Sequence, residues 1–289
     1  MRKINTILSL LIVVVLLPLI VTILYQSTKL EDLINGTPQS EAAVDEQLIG
    51  MVANEIGINK PEECIKAQGV IARTNLYAAK QKGTDPPKAL TTEEMQDLWG
   101  EDYSANYEKL KTLVAATGNQ TLTYEGKYIY AAFHAVSAGN TRNMSELYPD
   151  TNMPYLAAKE CHEDTTAKKY LSVYFWGEKE FVELCQQAFP DSGVANVDEI
   201  VIETRDTSDY VLNVKVGQTN VTGEDFRNAL GFASSSFTIT KVDTNIRVVV
   251  MGLGHGLGLS QNMAEHMAEE GKDYKKILQY FYSEVEITE

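Results

Sequence analysis

The first part of the chain is a long apolar stretch. Residues 7–24 carry no charged side chain and are interrupted only by Ser9, Pro18 and Thr22. About 20 apolar residues in a helix cross a hydrocarbon core of about 30 Å, and a proline is tolerated within such a helix. This pattern predicts a single membrane-spanning helix.

The residues on either side of this stretch predict its orientation in the membrane and whether it is cleaved. Arg2 and Lys3 precede it, and the positive-inside rule then places the N-terminus in the cytoplasm and the rest of the chain outside. A cleaved signal peptide is the alternative. The apolar run is longer than the usual signal-peptide core, and the LYQSTKL sequence that follows lacks a small-x-small cleavage pattern. We therefore expect an uncleaved anchor in residues 1–25, followed by a polar spacer in residues 26–46.

The pattern changes after the spacer, and residues 47–289 are expected to form one extracytoplasmic domain. Periodic apolar positions predict a first helix over residues 44–56 and a second over residues 64–80, which Pro61 introduces. Apolar or small residues occupy nearly every face of the second helix, so we expect it to be central and buried. Within it, Gly69 predicts a close approach by a neighbouring backbone.

Helix and strand patterns alternate irregularly through the rest of the domain. Thr91 and Glu94 have the spacing of a capping box, which opens a helical stretch through about residue 116. Glu125 and Gly126 are typical of a hairpin turn. Further strands are predicted over residues 128–139, 170–176, 200–206, 210–216, 237–241 and 246–251, and further helices over residues 178–188, from 222, 260–270 and 274–282. This mixture predicts an α+β fold with antiparallel sheets rather than a doubly wound parallel sheet.

Composition and charge narrow the class of protein. The 289 residues are 44% apolar and 22% charged, which is enough to bury a core. They include 40 acidic and 25 basic residues, for a net charge of −15, and no cluster of Lys and Arg. A basic nucleic-acid-binding protein is therefore excluded. Cys64, Cys161 and Cys185 are odd in number and far apart, so we expect buried or free thiols rather than a disulfide framework.

A glycine-rich segment, residues 252–258, places four glycines at alternating positions around His255. It does not fit the dinucleotide fingerprint, because Leu257 stands where the third glycine of G-x-G-x-x-G is required, and no Walker lysine follows. Alternating glycines let a backbone approach a neighbour or a ligand closely. From the residues alone, a ligand-facing loop and a structural turn with a buried histidine fit equally well.

The sequence gives little support for a metal site or a serine nucleophile. A zinc site would have to combine His134 with Cys161 and His162, but adjacent residues on a strand point to opposite faces. No G-x-S-x-G nucleophile elbow is present. We therefore expect no metal and no cofactor.

Glu55 is the candidate acid. It ends the first predicted helix just before Gly57. Taken alone, it fits a solvated carboxylate, and against an apolar wall it would fit a general acid. The residues alone leave both alternatives open.

Three segments, in order along the chain, then carry a family resemblance. Residues 53–74 place Glu55 ahead of the helix sequence KAQGVIART, residues 132–141 read AFHAVSAGNT, and residues 252–282 contain GHGLGLSQNMAEHMAEEG. Together they resemble the stage II sporulation protein D family of cell-wall lytic transglycosylases, which also includes amidase-enhancer proteins. The resemblance covers nearly the whole extracytoplasmic domain.

The resemblance implies a membrane-anchored enzyme that cleaves peptide-stripped peptidoglycan glycan strands to 1,6-anhydromuramic ends during engulfment of the forespore. Glu55 would protonate the departing glycosidic oxygen and then act as the base for the sugar's own 6-hydroxyl, so that no second carboxylate is needed. By family position, the substrate-binding residues would be Lys66, Gln68, Arg73, His134, Ser137, His255, Ser260 and Gln261.

The resemblance also implies partners and leaves alternatives. A cell-wall amidase and another membrane sporulation protein are the expected partners, besides the glycan strands. The main alternative is a noncatalytic wall-binding module that stimulates a cell-wall amidase. A structural protein of the spore-forming machinery is a third possibility.

Overall fold

The computed structural model describes residues 46–289. The predicted anchor in residues 1–25 and the spacer up to residue 45 lie outside the described residues. Across residues 46–289, no helix is both long enough and apolar enough to span a bilayer.

The described residues combine helices with short strands. The α-helices are α1 (Glu46–Glu55), α2 (Glu62–Lys82), α3 (Thr92–Trp99), α4 (Tyr103–Ala115), α5 (Met144–Leu147), α6 (Glu178–Ala188), α7 (Gly223–Leu230), α8 (Gln261–Glu269) and α9 (Tyr274–Phe281). The strands are β1 (Thr121–Tyr124), β2 (Lys127–Tyr128), β3 (Phe133–His134), β4 (Leu171–Gly177), β5 (Ile200–Arg205), β6 (Val211–Val216), β7 (Thr219–Thr222), β8 (Phe237–Val242), β9 (Asn245–Met251), β10 (Leu259–Ser260) and β11 (Glu286–Thr288). The predicted α+β class is confirmed.

The α2 helix lies at the centre of the first hydrophobic core, as predicted. It packs against α1, α4, α9 and β1, and Ile65, Val70 and Ile71 are buried on its faces. Gly83 ends the helix at a positive φ of 66°, a conformation that glycine adopts without strain. At Gly69, a Cβ atom would lie 3.3 Å from Cγ2 of Val114. The close approach there comes from a residue of α4.

A second hydrophobic core lies between two antiparallel sheets and two helices. One sheet has the strand order β4–β9–β8 and the other has the order β5–β6–β7. Phe181 of α6 and Phe226 of α7 pack into this core with Phe237 of β8. Aromatic and β-branched side chains from both sheets fill the space between them.

The first core also includes two smaller pairings of strands. One is an antiparallel sheet with the order β11–β1–β2. The other is a short parallel pair, in which Phe133 lies opposite Leu259 and His134 lies opposite Ser260. This parallel pair brings the middle of the chain next to its C-terminal third, and it fixes the geometry of the candidate site.

Two element predictions need correction. The helical stretch from Thr91 to about residue 116 is two helices, separated by a 3₁₀ turn over Gly100–Asp102. Gly100 has a positive φ of 52°, which an α-helix cannot contain. The capping box of Thr91 and Glu94 itself is confirmed.

The strand predicted over residues 128–139 is also wrong over most of its length. Only Lys127–Tyr128 and Phe133–His134 are strand. The rest is irregular because its backbone bonds go to the glycine-rich segment instead, as in the reciprocal pair between Val136 and Leu253, at 3.1 and 2.7 Å. The other predicted strands and helices are present within one or two residues at most ends, and all three cysteines are buried and free.

Candidate functional site

Glu55 lies at the end of α1, on the edge of a groove. The turn that follows it leads into α2. The Glu55 side chain is half-buried, and its Oε1 accepts a hydrogen bond of 2.7 Å from Nδ2 of Asn54. The groove has a volume of about 490 Å³ and is hereafter called the Glu55 groove. Its lining residues are Ala53, Asn54, Glu55, Ile56, Gly57, Ile58, Asn59, Lys60, Leu98, Trp99 and Glu265.

The walls of the Glu55 groove differ in chemistry. The C-terminal end of α3 contributes Leu98 and Trp99, which form an apolar and aromatic wall. On another side, Lys60 and Glu265 form an ion pair. The charge of Glu265 is thus balanced by that of Lys60. The Glu55 carboxylate is instead in contact with the side-chain amide of Asn54, which carries no charge.

Gln261 joins three helices beside Glu55. Its Nε2 donates to the backbone oxygen of Glu55 over 2.9 Å and to Oε1 of Gln68 over 3.4 Å. Ser260 caps the N-terminus of α8 by accepting from the N–H of Met263. The first side chain of α8 is thus aimed at the end of α1.

Gln68 is the buried member of this junction. Its side chain is 2% exposed, and its Nε2 has no hydrogen-bond partner among the described residues. Buried amide groups are nearly always paired in folded proteins, so this unpaired donor is an exception, although Gln68 itself does not line the Glu55 groove. The structure therefore brings together three of the predicted site residues, Glu55, Gln68 and Gln261.

A second group of predicted residues surrounds Asp164, which the sequence analysis missed. Oδ2 of this buried carboxylate accepts two hydrogen bonds, one of 2.7 Å from the Ser137 N–H and one of 2.6 Å from Ser260 Oγ. Its Oδ1 accepts a hydrogen bond of 3.1 Å from Asn262 Nδ2. It ties the turn after β3 to the start of α8. Its sequence context, HEDTT, carries no signal of this role, because its three partners are distant along the chain.

His134 and His255 lie next to each other, with ring centroids 5.8 Å apart. His134 donates from Nδ1 to the backbone oxygen of Leu257 over 3.0 Å, and its buried Nε2 has no partner among the described residues. Burial lowers the pKa of His134 to about 3, with nearby His255 lowering it further and the Leu257 contact opposing the shift. Burial also lowers the pKa of His255, and the charge of Glu224 opposes that shift. At neutral pH both rings are therefore uncharged.

The glycine-rich segment is held against its neighbours by contacts that exclude side chains. A Cβ atom on Gly256 would lie 2.6 Å from Cζ of Tyr210, and one on Gly258 would lie 2.0 Å from the backbone oxygen of Ala132. The φ values of its glycines are all positive, at 81°, 115°, 80° and 68°. The segment is a tightly packed structural turn, with His255 half-buried on it.

An ionic cluster around Arg142 supports this segment from one side. Arg142 is buried, and it pairs with Asp206 over 2.6 Å and with Glu224 over 2.7 Å. Its guanidinium lies 4.8 Å from the ring centroid of Tyr210, and its Nη1 lies 3.5 Å from the backbone oxygen of His255. Sequence reasoning did not find this cluster, since an isolated Arg in NTRN has no distinguishing pattern.

Lys66 and Arg73 lie elsewhere on α2, and neither lines the Glu55 groove. Lys66 Nζ is 2.6 Å from Glu63 Oε1, and that hydrogen bond raises the pKa of Lys66. Arg73 is buried and donates to Oγ1 of Thr117 over 3.1 Å and to the backbone oxygen of Gln120 over 2.9 Å. Burial lowers the pKa of Arg73. Its contacts are those of a brace between α2 and the segment after α4.

The alternative zinc site has no support in the geometry. Cys161 is buried, whereas His162 is exposed, so the two side chains do not face a common point. Within residues 46–289, no three His, Cys, Asp or Glu side chains are grouped so that they could hold a metal ion.

Comparison with known proteins gives consistent matches. The family model described as "Stage II sporulation protein" matches residues 36–124. The chain is 31% identical to stage II sporulation protein D of Bacillus amyloliquefaciens and 29% identical to that of Bacillus subtilis (strain 168), with 85% of this chain and 74% of each relative covered. It is also 26% identical to the amidase enhancer of Bacillus subtilis (strain 168), over 83% of this chain and 40% of that protein.

Proposed function

Because the chain belongs to the stage II sporulation protein D family, we propose that it is a membrane-anchored lytic transglycosylase that cleaves peptidoglycan glycan strands during sporulation. The observation that carries this proposal is Glu55, a half-buried carboxylate in a groove with an aromatic wall. The neighbouring carboxylate, Glu265, is engaged by Lys60.

The chemistry needs one carboxyl group that acts twice. The acid form of Glu55 gives its proton to the glycosidic oxygen as the bond from C1 of the muramic sugar to that oxygen breaks. The resulting carboxylate then takes the proton of the 6-hydroxyl of the same sugar as its oxygen bonds to C1. The product is a 1,6-anhydro end, no water is consumed, and Glu55 regains its proton. Glycosidases that use water or a covalent intermediate need a second free carboxylate, and the ion-paired Glu265 does not supply one.

The groove offers contacts suited to a sugar. Trp99 and Leu98 provide an apolar wall against which the C–H face of a pyranose ring can pack. Gln68 does not line the groove, and it is proposed to brace Gln261, whose Nε2 lies 3.4 Å from Gln68 Oε1. Gln261 holds the end of α1 in place through the Glu55 backbone oxygen, so it acts as a positioning residue for the carboxylate.

The roles of the other predicted residues follow from their contacts. His134 and His255 are proposed as neutral polar contacts to the glycan. Ser137 and Ser260 are proposed to act through Asp164, which binds both. Lys66 and Arg73 are proposed to support α2 rather than to contact the reacting sugar.

Substrate and location belong to the same proposal. The apolar residues 7–24 would anchor the enzyme, with its N-terminus in the cytoplasm and the catalytic domain outside, within reach of the wall. Peptide-stripped strands are proposed as the substrate and a cell-wall amidase as the partner that strips them, alongside a further membrane sporulation protein. A relative whose name is amidase enhancer supports the link to an amidase.

The proposal is tested by product analysis with the full chain. Peptidoglycan stripped of its peptides and intact peptidoglycan are each incubated with the wild type, with Glu55→Gln and with Glu265→Gln, and the products are analysed by mass spectrometry. We expect 1,6-anhydromuramic ends from the stripped substrate. Glu55→Gln should lose activity by at least about 100-fold, since it cannot transfer a proton. Glu265→Gln is the matched control and should retain most of the activity.

The outcomes separate the candidates. A fully active Glu55→Gln variant would refute the assignment of the acid. The second candidate is a noncatalytic wall-binding module that stimulates an amidase, favoured by the amidase-enhancer match. Retention of glycan without new ends, together with faster release of peptides by an added amidase, would establish that candidate instead.

A further inference from the structure

A second cavity lies away from the Glu55 groove, on the sheet formed by β11, β1 and β2. Its volume is about 340 Å³, and it is hereafter called the β1 cavity. Its lining residues are Tyr77, Asn119, Thr121, Thr123, Gly126, Tyr128, Glu286, Thr288 and Glu289. None of these lines the Glu55 groove. The α2 helix begins at Glu62, and Tyr77 lies 15 residues further along it, which corresponds to about 22 Å along the helix axis. The cavity is therefore near the C-terminal end of α2, whereas the turn after Glu55 leads into its N-terminal end.

The register of the sheet places several of these side chains on one face. Thr123 lies opposite Tyr128 on one side and opposite Glu286 on the other, and Thr121 lies opposite Thr288. Directly opposed residues of an antiparallel sheet point to the same side. The intervening Leu122 is fully buried in the first core. One face of the sheet therefore packs inward, and the other presents hydroxyls, a phenol ring and a carboxylate to the cavity.

Thr123 carries an unmet hydrogen-bonding group. Its side chain is 7% exposed, and its Oγ1 is buried without a hydrogen-bond partner among the described residues. The neighbouring Thr121 hydroxyl is paired with that of Thr288 at 3.4 Å. An unpaired hydroxyl at the floor of a cavity is explained if a molecule that enters the cavity supplies the partner.

The aromatic and charged groups define what could enter. The rings of Tyr77 and Tyr128 lie 5.7 Å apart and are tilted by 57°, which forms an angled wall for the C–H face of a ring. Glu286 and Glu289 supply negative charge, and no cationic side chain is among the described residues that line the cavity. The negative charge therefore disfavours an anion, and the hydroxyl, amide and carboxylate groups of the lining suit a hydroxyl-rich ligand. Its volume is at the lower end of the range of about 300–1,000 Å³ for small-molecule sites.

We propose that the β1 cavity is an accessory binding site for a neutral saccharide, which packs a sugar ring against Tyr77 and Tyr128 and pairs its hydroxyls with Thr123, Asn119 and Glu286. The site performs no chemistry and does not involve Glu55. It would hold a glycan at a point remote from the cleavage groove.

The test measures binding of a neutral probe, the N-acetylglucosamine trimer, to the full chain by isothermal titration calorimetry. Thr123→Val keeps the shape and removes the hydroxyl, so the affinity should fall by about 2-fold to 10-fold. Tyr128→Leu removes the ring and should lower the affinity by a similar factor. Thr240→Val is the matched control, because Thr240 is exposed on β8, and it should bind like the wild type.

Two further measurements locate the site. Binding at the β1 cavity should persist in Glu55→Gln and also in Trp99→Ala, because Glu55 and Trp99 line the other groove. N-acetylmuramic acid, which carries a carboxylate, should bind more weakly than N-acetylglucosamine, and Glu286→Gln should reduce that difference.

The proposal is overturned if the trimer does not bind. It is also overturned if Thr123→Val and Tyr128→Leu bind like the wild type, or if Glu55→Gln or Trp99→Ala abolishes all binding of the trimer. These results are separate from the test of the proposed function, since a loss of 1,6-anhydro ends says nothing about binding at this cavity.

Discussion

Asp164 is a single side chain that joins three segments. Its two oxygens accept from the backbone after β3, from the residue that caps α8, and from Asn262 within α8. An ionised carboxylate accepts at both oxygens, which an amide cannot do. The geometry of the His134 region therefore depends on a charge that is buried away from solvent.

Replacing Asp164 by Asn should destabilise the protein. One oxygen becomes an NH2 group that faces a donor, and an unpaired buried donor costs about 1–3 kcal/mol. The free energy of unfolding, measured by chemical denaturation, should fall by about that amount. Asp97→Asn on the exposed surface of α3 is the control and should change it by less than about 0.5 kcal/mol. Equal stability of the two variants would contradict the role given to Asp164.

His134 should make stability depend on pH. Burial lowers its pKa in the folded state to about 3, from an ordinary value of 6.5. The unfolded chain therefore takes up a proton between these two values while the folded protein does not. Stability contributed by the neutral ring is fully present above pH 6.5 and is lost as the pH falls, by about 1.4 kcal/mol per pH unit below that value.

The measurement compares the wild type with His134→Gln between pH 7 and pH 4. Carboxylates contribute to both curves, so the difference between the two slopes isolates His134. The variant should show the shallower decline in the free energy of unfolding. Parallel curves would mean that His134 is readily protonated in the folded protein.

At this scale the sequence predicted the residues of one junction but not the others. Glu55, Gln68 and Gln261 were recognised through a family pattern, and they do meet. Asp164 and Arg142 were not recognised in the sequence. A buried charged residue is identified by the residues that pair with it, and here those residues come from distant segments.

The elements follow local signals where those signals are strong. The capping box at Thr91 and the turn at Glu125 and Gly126 were readable because each is specified by neighbouring residues. The structure of the segment around β3 could not be predicted in this way, because its backbone pairs with residues more than 100 positions later in the chain. Aromatic and β-branched residues there suit a strand by propensity, but tertiary contacts decide the outcome.

The glycine-rich segment gives a prediction at the level of an element. At Gly258 an alanine would combine a positive φ of 68° with a Cβ atom 2.0 Å from a backbone oxygen. The free energy of unfolding should fall by at least about 2 kcal/mol, because neither strain nor overlap can relax cheaply.

The matched control is Gly271→Ala. Gly271 also has a positive φ, of 84°, but no atom lies within 4 Å of an added Cβ. It should show the backbone strain alone, about 1–2 kcal/mol. Equal losses at the two positions would mean that the contact with Ala132 is not tight in solution.

For the whole molecule, composition and pattern predicted the α+β class but not the arrangement of its cores. Periodicity shows that an element has an apolar face, but it does not show which other face will cover it. The result is two cores, one around α2 and one between two sheets. The glycine-rich segment follows β9 of the second core and leads into β10 and α8 of the first.

The hydrogen bond between Gln261 and the Glu55 backbone can form only late in synthesis of the chain. The two residues are 206 positions apart in the chain, and a ribosome needs about 10–40 s to synthesise that length. Glu55 emerges early, and for that interval the chain contains Glu55 without the side chain that binds its backbone oxygen. The junction at the end of α1 is therefore incomplete while the chain is being made, and the lining of the Glu55 groove is completed by Glu265 only when the C-terminal helices arrive.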